Sequence, residues 1–489
     1  MCNSLKKCSA YILLLVVSFL ICLVFSQNPI HNYYFADDAY YEYVGKLINQ
    51  GFVPYRDIWD HKGPIVYWWY AIGYKIYPMT GMYFLEVLNL FLSMSLSYNI
   101  AKRYLNNICS LLIVIVLFLN IPYKDSVGNT EMLSLLPILY LIHLVDIYIN
   151  KLYLKKIDYI SIGLIISILF FIKPLYLVSP CVLCLYILSA TIKNKDIKEL
   201  KKLFLYGGMG FVVPTIIILM WLTVNHAIMD FYTSYIEFNI AYTLKNNTEG
   251  RGSLWGTFYF FVKQPIIILS TLSIVYILIN KKKHEVKCNK FIYLLIITFI
   301  ITFVLLVLPK NMYFHYLIIL FPIILYLLIF ATKNVKSNTV LIVILETLII
   351  MFSHTLYSSV AKHHEKELAK DKKYREIASV ISQELESNET FASLISDMTK
   401  LHLYSNRHSA TKYPFLTIYN RIYPEKVKEE FSKIKPKIIV TLEDDEITLV
   451  SKKPLKINIE KKIRLSELFN VNDYNVIYRK NSYIIYKLK

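Results

Sequence analysis

The feature that most constrains this chain is the uneven spread of its charges. Its first 358 positions carry 46 Lys, Arg, Asp and Glu residues, clustered between long apolar runs, whereas the last 131 carry 43. A run of about 20 apolar residues spans the roughly 30 Å hydrocarbon core of a bilayer as a helix. Repeated runs of that kind cannot build a water-soluble core. The chain therefore reads as a polytopic helical membrane protein, residues 1–358, followed by a polar domain, residues 359–489. Composition agrees: 56% of residues are hydrophobic and 18% charged, against about 25% charged in soluble domains. The net charge of +19 does not imply nucleic acid as a partner, because Lys and Arg collect in the cytoplasmic loops of membrane proteins.

Hydropathy predicts about eleven spans, near 9–26, 82–101, 108–123, 131–149, 157–172, 174–192, 203–225, 255–280, 291–308, 313–331 and 339–358. One set of connecting segments, from Lys6–Lys7 to Lys333 and Lys336, holds 19 basic residues, and the opposite set holds nine on longer loops. The positive-inside rule puts the first set in the cytoplasm. An odd number of spans then carries residues 359–489 to the extracytoplasmic side of the plasma membrane. The first apolar run also fits a signal peptide ending near Ser26, but its length favours a retained helix. None of the seven cysteines falls after residue 358. Cys181 and Cys184 lie in an apolar run and read as small packing residues.

The first long outer loop, residues 27–81, differs from the rest. Ala36, Tyr40, Tyr43, Val44, Leu47 and Ile48 recur at helical spacing, and Gly51 is placed to stop the helix. That pattern suits an amphipathic helix at the membrane interface. Pro64 to Tyr77 is apolar but too short to cross, and predicts a second interfacial helix. Asp37 and Asp38 open the first helix. Acids there cap and complement the helix dipole, but Arg56, Asp57, Asp60, His61 and Lys62 follow within the same loop. A carboxylate at this boundary can take a proton from an acceptor hydroxyl, and a neighbouring Lys or Arg can neutralise a phosphate leaving group.

The stretches FADDAYYEYVGKLI and GFVPYRDIWDHKGPIVYW resemble the first outer loop of GT-C glycosyltransferases, in particular the protein mannosyltransferase-like family 39 group, which includes the bacterial aminoarabinose lipid A transferases. In that group an acidic pair opens the first juxtamembrane helix and a Lys-Pro-Pro-like motif opens the second. Here the pair is Asp37-Asp38, where Asp-Glu is commoner, and the second motif is Lys62-Gly63-Pro64. The resemblance implies that Asp37 is the base or acceptor-binding carboxylate, with Asp38 next in line. Three weaker marks agree with it: Glu131 at the outer end of the fourth span, Lys173-Pro174 between the fifth and sixth, and His315 in Tyr313-Phe314-His315-Tyr316. Each also has an ordinary reading, as a first-turn acid, a snorkelling lysine and an interfacial side chain. Ionisable residues at the membrane edge are nonetheless functional suspects.

In residues 359–489, helical patterns at Lys370–Glu386 and Pro424–Ile434 alternate with strand patterns at Phe391–Ser396 and Lys437–Leu442 and a hairpin over Val476–Leu488, a small α/β domain. Glu443 to Glu446 reads as a solvated acidic turn.

The expectation is a GT-C type membrane glycosyltransferase. It would move a sugar from a polyprenyl-phosphate donor to a glycan, lipid or protein acceptor on the outer face. Asp37 would assist the acceptor, and Lys62, Arg56 or Lys173 would stabilise the departing phosphate. Metal dependence is open, and the acids of this loop could bind a divalent cation. An envelope polysaccharide polymerase would share the setting but is expected to use an Arg-rich loop. A transporter or flippase is expected to show repeated halves and broken helices near the midplane.

Overall fold

The computed structural model describes residues 2–27, 30, 33–34, 36–121, 127–242, 253–280, 286–333, 364–394, 399–414, 424–442, 446–447, 463–464, 468–480 and 482–489. Its first part is a helical bundle of a multi-pass membrane protein. In chain order come α1 (Cys2–Phe25), α2 (Ala36–Asn49), α3 (Pro64–Ile76), α4 (Thr80–Ala101), α5 (Asn107–Leu119), α6 (Thr130–Lys151), α7 (Lys156–Ile172), α8 (Val178–Lys193) and α9 (Ile197–Val224). There follow α10 (Leu254–Val262), α11 (Pro265–Ile279), α12 (Val286–Val307) and α13 (Phe321–Lys333). Six helices among the described residues are long and apolar enough to cross a bilayer. The expected span at 339–358 lies outside the described residues.

The two interfacial helices form where periodicity puts them. Gly51 ends α2 with a φ of 92°, a conformation that side chains with a Cβ resist. Pro64 starts α3, where a missing N–H costs nothing. One expected span is broken. Residues 255–280 divide at Lys263-Gln264-Pro265 into α10 and α11, bent by 77°. Pro265 has no N–H to continue the ladder of α10, and the chain turns there. Lys263 stands at the corner over the Tyr259 and Phe260 rings. Cys181 and Cys184 are free thiols on α8.

The C-terminal part is a five-stranded sheet of order β2-β1-β3-β7-β6, where β1 is Thr390–Ser393, β2 His408–Ser409, β3 Ile438–Leu442, β6 Tyr474–Lys480 and β7 Tyr483–Leu488. Two further short strands, β4 (Glu446–Ile447) and β5 (Ile463–Arg464), pair with each other. The alternation of strand side chains splits its core in two. Ile438, Val440 and Ile485 pack with Tyr374, Ile377 and Ile381 of a helix at 364–384. Ile439, Ile484 and Tyr486 belong to a cluster on the other face that includes Trp59 of the first loop and Phe238. The sheet thus uses its second face to hold the segment that carries the candidate site.

Candidate functional site

Helix α2 positions the acidic pair. Both acids lie in its first turn, where the dipole favours them, but packing separates their fates. Asp37 is exposed, whereas Asp38 is fully buried. Asp38 Oδ1 accepts a hydrogen bond from the Tyr70 hydroxyl of α3 at 3.0 Å, and that hydroxyl also lies 2.9 Å from the Gly128 carbonyl oxygen. Tyr41, one turn after Asp37, is buried as well. Burial pushes its phenol well up from the ordinary value, and the charges of Asp37, Asp60, Glu131 and Asp38 push it further. These four carboxylates, drawn from three segments of the chain, therefore act on one hydroxyl.

The loop between α2 and α3 supplies the bases. Asp60 Oδ2 accepts from the Tyr67 hydroxyl at 2.6 Å, and Oδ1 accepts from the His61 backbone N–H at 2.7 Å. The His61 ring presents Nδ1 to the same carboxylate at 2.9 Å, off the line of a well-formed hydrogen bond. Its Nε2 lies 2.9 Å from Lys62 Nζ. An ammonium can only donate, so Nε2 is the acceptor and Nδ1 carries the ring proton. Burial and the Lys62 charge lower His61 to about 4. For Asp60, burial acts upward, but His61 and Lys62 outweigh it and hold the carboxyl at about 2. At neutral pH the row is an anion, a neutral imidazole and a cation.

Gly63 joins this row to a distant part of the chain. Its N–H donates to the Ile172 carbonyl at 3.0 Å, and a Cβ there would lie 1.8 Å from the Phe171 carbonyl oxygen. Only glycine permits the approach, which sets residue 62 beside residue 173 and explains the glycine within Lys62-Gly63-Pro64. Lys173 Nζ donates to Glu131 Oε1 at 3.2 Å, and the side chains are 16% and 2% exposed. The same ammonium lies 4.4 Å from the centre of the Tyr316 ring. His315 packs against that ring, with centroids 5.0 Å apart, and is within electrostatic reach of Glu131.

The structure thus gathers Asp37, Asp38, Asp60, His61, Lys62, Glu131, Lys173 and His315 at one end of the bundle. Arg56 and Asp57 form a local pair at its margin. Arg56 forks onto Asp57 at 2.8 Å for both contacts and reaches the Asn225 carbonyl at 2.7 Å. Sequence reasoning missed Tyr41, Tyr67, Tyr70 and Glu86. The tyrosines were hidden among the 41 of this chain, but Glu86, an acid inside an apolar span, was a usable signal. Among the described residues no three His, Cys, Asp or Glu side chains are disposed to hold a metal ion.

Residues 399–414 grip the far side of this assembly. The Trp59 N–H donates to the Lys412 carbonyl at 2.7 Å, and the Ser409 N–H donates to the Tyr43 hydroxyl at 3.0 Å. His402 stacks on Tyr43 with ring centroids 5.1 Å apart.

The fold of the chain matches that of ArnT from Cupriavidus metallidurans along almost its full length. The ArnT structure bound to undecaprenyl phosphate superposes with a TM-score of 0.62 at 12% identity, covering 98% of each chain. The fold is that of ArnT. The apo ArnT structure gives a TM-score of 0.60 at 12% identity, covering 99% of this chain and 98% of that one. No family model matches the sequence, and no curated protein matches it in sequence. The GT-C architecture expected from the first outer loop is borne out as a fold, including the juxtamembrane helices and the C-terminal sheet.

Proposed function

We propose that the chain is an integral-membrane glycosyltransferase that moves a sugar from a polyprenyl-phosphate donor to a hydroxyl of a glycan, lipid or protein acceptor. The observation that carries this reading is the Gly63–Ile172 contact. It brings two lysines from separate segments to the cluster that holds an exposed carboxylate, Asp37. The fold likeness to ArnT, one of whose structures holds undecaprenyl phosphate, supports a lipid-phosphate donor. The loop charges support an extracytoplasmic location for the site and for the C-terminal domain, residues 359–489.

In the reaction the acceptor oxygen attacks the anomeric carbon of the donor sugar. The bond from that carbon to the phosphate oxygen breaks, its electron pair stays with the phosphate, and the configuration inverts. Asp37 takes the acceptor proton. Lys62 and Lys173 balance the charge that grows on the lipid phosphate. His61 accepts from Lys62 and leaves the ammonium's other protons for the phosphate. Asp60, Glu131 and His315 orient these cations.

The test is transfer of labelled sugar from polyprenyl phosphate by purified Asp37→Asn protein. Loss of a proton acceptor is expected to slow transfer by about 10²–10⁴-fold. Undiminished transfer would overturn the role given to Asp37. In reconstituted vesicles, a labelled sugar that crosses the bilayer with no new glycosidic bond would identify a transporter instead.

A further inference from the structure

Glu86 is an acid that the proposed reaction does not use. It is the sole charged residue of α4, and its side chain is buried, with 3% of its surface exposed. Among the described residues neither carboxylate oxygen meets a hydrogen-bond donor in good geometry, the Ser26 hydroxyl being the donor that lies near. The titratable and polar groups that face it are Cys22 of α1, Ser26 just beyond α1, Asp38 and Glu42 of α2, Tyr70 of α3, and Tyr83 of its own helix. Among the described residues none of the groups facing Glu86 is a cation.

The geometry around Gly128 is what ties Glu86 to Asp38. A Cβ on Gly128 would lie 2.3 Å from Glu86 Oε1, 2.4 Å from the Tyr70 hydroxyl oxygen and 3.0 Å from Asp38 Oδ1. Three oxygens from three helices therefore crowd one face of a glycine. Their protons can be counted. The Tyr70 hydroxyl has one hydrogen, and its two neighbours at hydrogen-bond distance, Asp38 Oδ1 and the Gly128 carbonyl, are both acceptors. Two ionised carboxylates cannot share so small and so dry a space, because desolvation and mutual repulsion act together against the second charge. A second hydrogen-bonding proton, on one of the two carboxyls, would remove one charge and supply the missing donor.

We propose that Asp38 and Glu86 hold one proton between them, resting on Glu86, and that this pair is the positioning device for the first turn of α2. Glu86 contacts no reacting atom. It holds Asp38 inward against α3 and α4, and the next residue back, Asp37, is thereby presented on the open side of the same turn. The two neighbours of the acidic pair are then divided in role: Asp38 is an anchor, and Asp37 is the exposed carboxylate. The consequence for catalysis rests on the reading of Asp37 as the base. The existence of the shared proton does not.

The experiment has two arms on full-length protein in lipid nanodiscs. The first is infrared difference spectroscopy across a pH titration, which detects the carbonyl stretch of a protonated carboxylic acid. The wild type is expected to show such a band at neutral pH, part of it from Glu42, which burial raises to about 7, and Glu86→Gln is expected to lose the part that Glu86 contributes. The second is sugar transfer. Glu86→Gln supplies a neutral side chain of the same shape, so it is expected to retain transfer within about twofold of wild type. Glu86→Ala, which leaves neither shape nor donor, is expected to lose it. Absence of the band in wild type, or an undiminished band in Glu86→Gln, would overturn the proposal. So would loss of transfer in a folded Glu86→Gln protein together with a new demand for divalent cation, which would mean that the two carboxylates hold a metal. If the wild type transfers no sugar, the glycosyltransferase reading fails while the infrared arm still decides the proton.

Discussion

Replacing Lys173 with Met separates what that residue does for the fold from what it does for the reaction. In the native structure Lys173 Nζ is 3.2 Å from Glu131 Oε1, and the Glu131 side chain is only 2% exposed. Methionine keeps the length of the side chain and removes the charge. Glu131 then keeps the Thr130 hydroxyl at 3.2 Å and the more distant influence of His315. Breaking a buried pair from one side costs about 3–5 kcal/mol, because the remaining charge stays in a dry place. Lys173→Met should therefore lower the thermal stability of the purified protein by an amount in that range. The double change Lys173→Met with Glu131→Gln removes both charges and should recover most of the loss, to within about 1–2 kcal/mol of wild type. Transfer should not recover with it, since the phosphate would have lost a cation. Unfolding of the two single variants and the double variant in one detergent measures the first quantity, and transfer from polyprenyl phosphate measures the second. A stable Lys173→Met protein would refute the reasoning about the buried pair. A double variant restored in both stability and transfer would show that Lys173 only neutralises Glu131.

Two further outcomes follow from the loop between α2 and α3. His61 is held at about 4, first by burial and then by the Lys62 charge, against an ordinary value near 6.5. Between those values the unfolded chain binds a proton that the folded chain refuses, so stability should fall as pH drops from 6.5 to 4, by about 3 kcal/mol at most. Unfolding measured at pH 7 and pH 5 should show this slope in wild type and a flatter one in His61→Gln, and equal slopes would refute the assignment. Gly63→Ala puts a methyl 1.8 Å from the Phe171 carbonyl, and overpacking of this kind costs about 1–3 kcal/mol. Because it parts Lys62 from Lys173, it should also raise the KM for the lipid donor. An Ala variant with unchanged KM would show that the two lysines do not act on a common phosphate.

Much of the scaffold was legible because periodic features write themselves into sequence. The apolar positions from Ala36 to Ile48 repeat at helical spacing, and α2 runs from Ala36 to Asn49. The Pro64 start of α3, the β6–β7 hairpin and the strand at 438–442 were legible for the same reason. The bend at Pro265 was less so, because an apolar run on either side of a proline has the hydropathy of one span. Within the candidate site, residue types were visible but their partners were not. Arg56 and Lys62 look alike as loop cations, yet Arg56 closes on its neighbour Asp57 and Lys62 lies against His61.

The sequence by itself determined that this chain crosses a membrane, and that acids and bases collect in one loop at its boundary. Both follow from local composition, since transfer of a side chain into hydrocarbon is decided residue by residue. Only the tertiary structure decided which of two adjacent aspartates is buried, which lysine meets Glu131, and that Glu86 stands beside Asp38. Those outcomes depend on contacts between segments far apart in the chain. The close approach at Gly63 and the crowding at Gly128 fix them, and no local pattern encodes such a distance.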